Sequence, residues 1–143
     1  MKKSWVYPLQ KIVLFAGLLL ILTACPEKNK RMLEQTSWEL EETTMGRVVK
    51  SATERPPSIR FSLEEGRFSG FGGCNQIMGS FELNKKKVKI GQIGGTKMNC
   101  PNMSTENLLI SSLHQVNRYK LEEGKLILLK DKSQVLVFTG KKE

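Results

Sequence analysis

The chain is predicted to fold as an α+β domain: a curved antiparallel sheet or partly open β-barrel with one packed helix. Three observations predict it. Short runs alternate apolar and polar residues at a period of two, the pattern of half-buried strands. Glycine, asparagine, aspartate and charged pairs punctuate those runs at short intervals, as hairpin turns do. A single segment, after Pro101, carries apolar residues at helical spacing. Many strands and one helix fit a sheet that curls around its own core with the helix laid against it.

Taken in order, Trp38 and Leu40 alternate with Glu39 and Glu41 in the first strand. The polar stretch from Thr43 to Pro57 reads as a loop or irregular edge, with room for a short strand at Arg47–Lys50. Ser58–Leu63 places Ile59, Phe61 and Leu63 on one face, and Glu64-Glu65-Gly66 turns the chain into a strand at Arg67–Phe71. Gln76–Leu83 and Val88–Ile93 flank a basic tip at Lys85-Lys86-Lys87, a charged turn of the kind that is ordinarily just solvated. In the helix, Asn102 and Ser104 are candidate caps. Leu109, Leu113 and Val116 form its apolar stripe, with Leu108 on the flank and Asn107, Ser111, Gln115 and Arg118 opposite. Tyr119–Leu121, Lys125–Lys130 and Gln134–Thr139 complete the strands, the last two forming an apolar hairpin.

The start of the chain is not part of this domain. Lys2, Lys3 and Lys11 precede the apolar run Ile12–Leu22. A bilayer span needs about 20 apolar residues; this run is shorter and suits the core of an export signal. Leu22, Thr23 and Ala24 lead directly into Cys25, an arrangement that resembles a bacterial lipobox. The chemistry requires a cysteine there, because a thiol is the nucleophile that accepts a diacylglyceryl group. Cleavage before Cys25 frees an α-amine for a further acyl chain, such as palmitate. Each buried methylene contributes about 0.8 kcal/mol, so two or three chains hold a protein on a membrane. The expected organisation is a signal peptide at 1–24, a lipidated N-terminus and tether at 25–36, the folded domain at 37–139 and a tail at 140–143. The tether Pro26–Thr36, polar and charged, would reach at most about 35–40 Å if extended.

Loss of residues 1–24 removes three lysines and no acids from a chain with 23 Lys+Arg and 14 Asp+Glu, leaving a formal charge of +6. Outside the cytoplasm that charge speaks against nucleic acid. It suits plain solubility or a salt-sensitive attraction to anionic head groups or acidic glycopolymers. With Cys25 acylated, Cys74 and Cys100 remain. An oxidising compartment favours their pairing; the alternative is two free buried thiols.

The chain offers little for catalysis. His114 and Asp131 are its only histidine and aspartate, and His114 falls toward the polar side of the helix. The pairs Glu41-Glu42, Glu64-Glu65 and Glu122-Glu123 sit at turns or strand ends and read as solvated charge. A zinc site lacks ligands, and no cofactor or metal is expected. Met78, Met98 and Met103 read as core filling. The glycine clusters Gly70–Gly73 and Gly91–Gly95 lack the order of a phosphate-binding loop. They mark bulges or bends, and such bends allow an open groove lined by Phe71, Ile77 and Phe81.

The stretch Ser69-Gly70-Phe71-Gly72-Gly73-Cys74-Asn75-Gln76-Ile77-Met78-Gly79-Ser80-Phe81, followed by Gly95-Thr96-Lys97-Met98-Asn99-Cys100, resembles the META domain, the family of the HslJ-type heat-shock lipoproteins. The resemblance runs from about Leu33 to Phe138. It includes Thr36-Ser37-Trp38-Glu39-Leu40, the element Pro57–Phe61, and a helix carrying Glu106 and Leu113. It implies a compact antiparallel fold with one helix, similar to a cracked barrel and to secretin pilotins. It also implies an envelope lipoprotein linked to heat or envelope stress, without catalytic residues. Two functions are therefore expected as alternatives. One is a lipid-anchored envelope protein that binds a protein partner, at the outer membrane facing the periplasm in a Gram-negative cell. The other is a module that holds a small amphiphile on the open side of the sheet.

Overall fold

A computed structural model describes residues 25–44, 46–47 and 55–141. The expected signal peptide 1–24, including Leu22, Thr23 and Ala24, lies outside the described residues, as do 48–50 of the expected short strand and the end of the expected tail. Among the described residues, two helices and nine strands follow one another. They are α1 (Cys25–Glu34), β1 (Ser37–Thr43), β2 (Gly46–Arg47), β3 (Ser58–Ser62), β4 (Arg67–Phe71), β5 (Gln76–Asn84), β6 (Lys87–Gly95), α2 (Ser104–Leu113), β7 (Arg118–Glu122), β8 (Lys125–Lys130) and β9 (Ser133–Lys141).

All pairings are antiparallel, in the order β2-β1-β3-β4-β5-β6-β7-β8-β9, and β1 also pairs with β9. The strands thus follow one another in a ring, but the ring does not close into a barrel, and the expectation of a β-barrel is corrected. A barrel needs a continuous ladder at every seam. Here β6 and β7 share one residue pair, Lys87 with Arg118, and then part. The curved sheet packed against helices is what the alternating sequence predicts.

The turns follow from residue chemistry. Glu123 and Gly124 both adopt positive φ (51° and 75°), the geometry of a two-residue hairpin turn whose twist matches its strands. Inward residues of β1 and of β3 to β9 form one core around the fully buried Trp38 and Phe138, with Leu126, Leu128 and Leu136 beside them. Phe61 meets Phe81 edge to face, with ring centroids 5.0 Å apart.

Most of the segment expected as a polar tether forms α1. Pro26 is tolerated in a first turn, and the following Glu, Lys, Arg, Met and Leu residues are good helix formers. Two apolar residues then dock it. Leu33 is 2 % exposed, a burial that contributes about 1.5–3 kcal/mol, and Met32 packs against the same core. The Trp38 Nε1–H donates to the Leu33 carbonyl at 3.0 Å. At the end of α1, Glu34 Oε1 accepts from the Leu63 backbone N–H at 3.1 Å. Two helices therefore pack on the sheet rather than one. α2 ends at Leu113, so Val116 stays buried but beyond the helix, and Arg118 opens β7.

Candidate functional site

Twin glycines, a cysteine and an asparagine connect β4 to β5, and they wrap a carboxylate from α2. Glu106 is 4 % exposed. Its Oε2 accepts backbone N–H groups from Cys74 (3.1 Å) and Asn75 (2.6 Å), and its Oε1 accepts Nδ2 of Asn75 (2.8 Å). Burying a carboxyl group is costly unless such donors replace water. The close approach demands glycine: a Cβ on Gly72 would lie 2.7 Å from Glu106 Oε2. Gly73 adopts φ 123°, a conformation that side chains rarely take.

Asn75 extends the network. Its Oδ1 accepts from Thr96 Oγ1 at 2.8 Å and from the Met98 backbone N–H at 2.7 Å, while Thr96 Oγ1 accepts from the Gln76 N–H at 3.1 Å. The disulfide between Cys74 and Cys100 crosses the same junction, with Cα atoms 6.1 Å apart. Three chain segments are thus buckled together. Every side-chain polar atom of Glu106 and Asn75 has an internal partner, so this arrangement holds structure rather than presenting reactive groups.

The remaining sequence candidates fall elsewhere. Ile77 and Phe81 belong to the central core, and Phe71 is 8 % exposed under the Arg55 guanidinium, 5.1 Å from its ring centroid. Ile77 and Phe81 thus face the interior rather than an open groove, and Phe71 is covered by Arg55. His114 is exposed at the end of α2, while Asp131 Oδ1 accepts from Asn117 Nδ2 at 2.8 Å. Among the described residues, no group of three or more His, Cys, Asp or Glu is placed to hold a metal ion. Met78 and Met98 are not core filling: they are 47 % and 60 % exposed. No helix among the described residues is long and apolar enough to cross a membrane.

The opening at the β6–β7 seam was not legible in the sequence. The Val88 N–H donates outward to the Asn117 carbonyl at 3.1 Å, and Tyr119 N–H donates to the Lys86 carbonyl at 3.1 Å. Beyond that point no described strand lies against the outer side of β6. Alternate residues of a strand direct their backbone groups to the same side, so Ile90 presents its N–H and C=O there. A groove of about 610 Å³ opens at this seam, with Val88 and Ile90 on one wall and His114 and Val116 on the other.

A family model described as META domain matches residues 31–143. The chain is similar to a protein from Burkholderia xenovorans solved by NMR, at 28 % identity and a TM-score of 0.63, over 81 % of this chain and 88 % of that one. A second NMR structure is 24 % identical with a TM-score of 0.59, over 76 % and 92 %. The crystal structure of a DUF4847 family protein from Bacteroides vulgatus shares the fold at 17 % identity and a TM-score of 0.56, over 80 % and 99 %. No curated protein matches the chain.

Proposed function

The chain belongs to the META domain family, and from that premise we propose that it is a non-catalytic envelope lipoprotein. In this reading Cys25 is acylated and the domain serves envelope stress or secretion by binding a protein partner. The partner supplies an extended segment that adds to the open edge of β6. The observation that supports it is the seam itself. β6 runs nine residues, yet it pairs with β7 through one of them. A sheet edge offers backbone hydrogen bonds to an incoming strand, and side-chain pockets beside it give selectivity. Lys89, Gly91 and the bulge opposite Ser80 discourage indiscriminate pairing of that edge. The filled core supports a surface role over the amphiphile module first set beside it, whose groove residues are buried.

The test is a photo-crosslinking residue at Gln92, on β6, in intact cells. It should give a discrete protein adduct that is absent from the same probe at Lys132. Ile90→Pro removes an outward N–H and leaves the β5 ladder in place, so it should abolish the adduct in a folded protein. Identical adducts at both positions, or an adduct indifferent to Ile90→Pro, would contradict strand addition. Cys25→Ser should release the protein from the membrane fraction or leave an unprocessed precursor; normal processing with retained membrane association would refute the anchor.

A further inference from the structure

We propose that the α1 end of the domain is a docking face for an anionic phospholipid surface. The inference rests on the reading that Cys25 carries the lipid. α1 begins at Cys25, so the route from anchor to domain is a helix of about 15 Å at 1.5 Å per residue, not a long flexible tether. Asn29 and Lys30, about 6–8 Å along that helix from Cys25, line a groove of about 550 Å³ with the β5–β6 tip and β7. Its apolar wall is Leu83, Tyr119 and Leu121, each half-buried. Lys30, Lys85 and Lys86 stand exposed around it, and none has an ion-pair partner among the described residues. Lys120 also lines it, held by Glu122 at 2.9 Å.

Lys30 stands midway along α1, and Lys85 and Lys86 of the β5–β6 tip flank the same groove. The far end of α1 bonds the Leu63 N–H, beside the turn that carries Glu64 and Glu65. A membrane held through Cys25 lies within about 8 Å of Lys30 along the helix. Each lysine near an anionic surface contributes about 1 kcal/mol. The half-buried apolar wall suits the glycerol and upper acyl region beneath the head groups, and lysine stems span that boundary.

The experiment is lysine acetylation footprinting of the mature acylated protein on two vesicles: phosphatidylcholine alone, and a mixture in which about a third of the lipid is phosphatidylglycerol. On the anionic vesicles, acetylation of Lys30, Lys85 and Lys86 should fall about fivefold, the factor that 1 kcal/mol corresponds to. Lys132, in the β8–β9 turn at the opposite end of β8, should be unchanged. High salt, which shortens the screening length to about 3 Å at 1 M, should restore the rates. Lys85→Glu with Lys86→Glu should remove the protection at Lys30. Equal footprints on both vesicles, or protection that spreads to Lys132, would overturn the docking face. Flotation on neutral vesicles reads the anchor separately: without it the anchor fails, and the anionic footprint still decides the docking face.

Discussion

The two ends of the domain use polar residues in opposite ways. At the β4–β5 turn, Glu106 and Asn75 are buried and bonded to backbone, to Thr96 and to each other. At the α1 end, Lys30, Lys85 and Lys86 are exposed without ion-pair partners among the described residues. The residues that carry the family resemblance concentrate at the first end, where they hold the fold. The groups free to meet another molecule lie at the second end and along β6. In this domain the motif residues mark architecture, and the proposed recognition surfaces lie away from them.

Substitutions break that comparison in a graded way. Glu106→Ala should have the largest effect. It strands two buried backbone N–H groups and the Asn75 amide, each worth about 1–3 kcal/mol when unsatisfied. The expected loss in urea unfolding is about 3–4 kcal/mol, and Gly72→Ala, which pushes the carboxylate out of its cradle, should approach it. Opening the disulfide by Cys100→Ser should lower stability by about 2–4 kcal/mol under oxidising conditions, read as a lower melting temperature. Leu33→Ala should cost about 2–3 kcal/mol; hydrogen exchange should rise in α1 and leave Gly72–Asn75 protected. Lys85→Glu with Lys86→Glu should change stability by less than about 0.5 kcal/mol while weakening association with anionic vesicles.

The smallest effect sharpens the lysine end. Burial raises the Tyr119 pKa above the ordinary 10.0, because it disfavours the phenolate. The folded group holds its proton where the unfolded one loses it. Its contribution to stability is therefore complete below pH 10.0 and fades as pH rises through the folded value. Tyr7 is the only other tyrosine and lies in the expected signal peptide. Absorbance titration of the mature chain should thus report Tyr119 alone, with a midpoint above 10.0; a midpoint at or below it would show an open, solvated groove.

Much of the fold was legible because its signals are local. Alternation in Ser58–Leu63, the short apolar runs of the β8–β9 hairpin, and the stripe of Leu109 and Leu113 need no knowledge of tertiary partners. α1 was not legible, since Met32 and Leu33 alone interrupt a charged run and their docking depends on a core assembled from strands far along the chain. Glu106 was visible only through the resemblance. Its placement three residues before Leu109 and seven before Leu113, on the apolar stripe, was a signal that a helical projection contains. Likewise Met78 follows Ile77 in a strand, which turns it outward. The open seam had no local mark: it depends on where β7 parts from β6, which strand periodicity does not encode.

The most direct measurement is hydrogen exchange of the acylated protein on anionic and on neutral bilayers. The expected result is added protection on the anionic bilayer at Leu83–Lys87 and Arg118–Leu121, with Gly72–Asn75 unchanged. Protection appearing at Gly72–Asn75, with none at the lysine end, would place recognition on the motif and contradict the division of roles between the two ends.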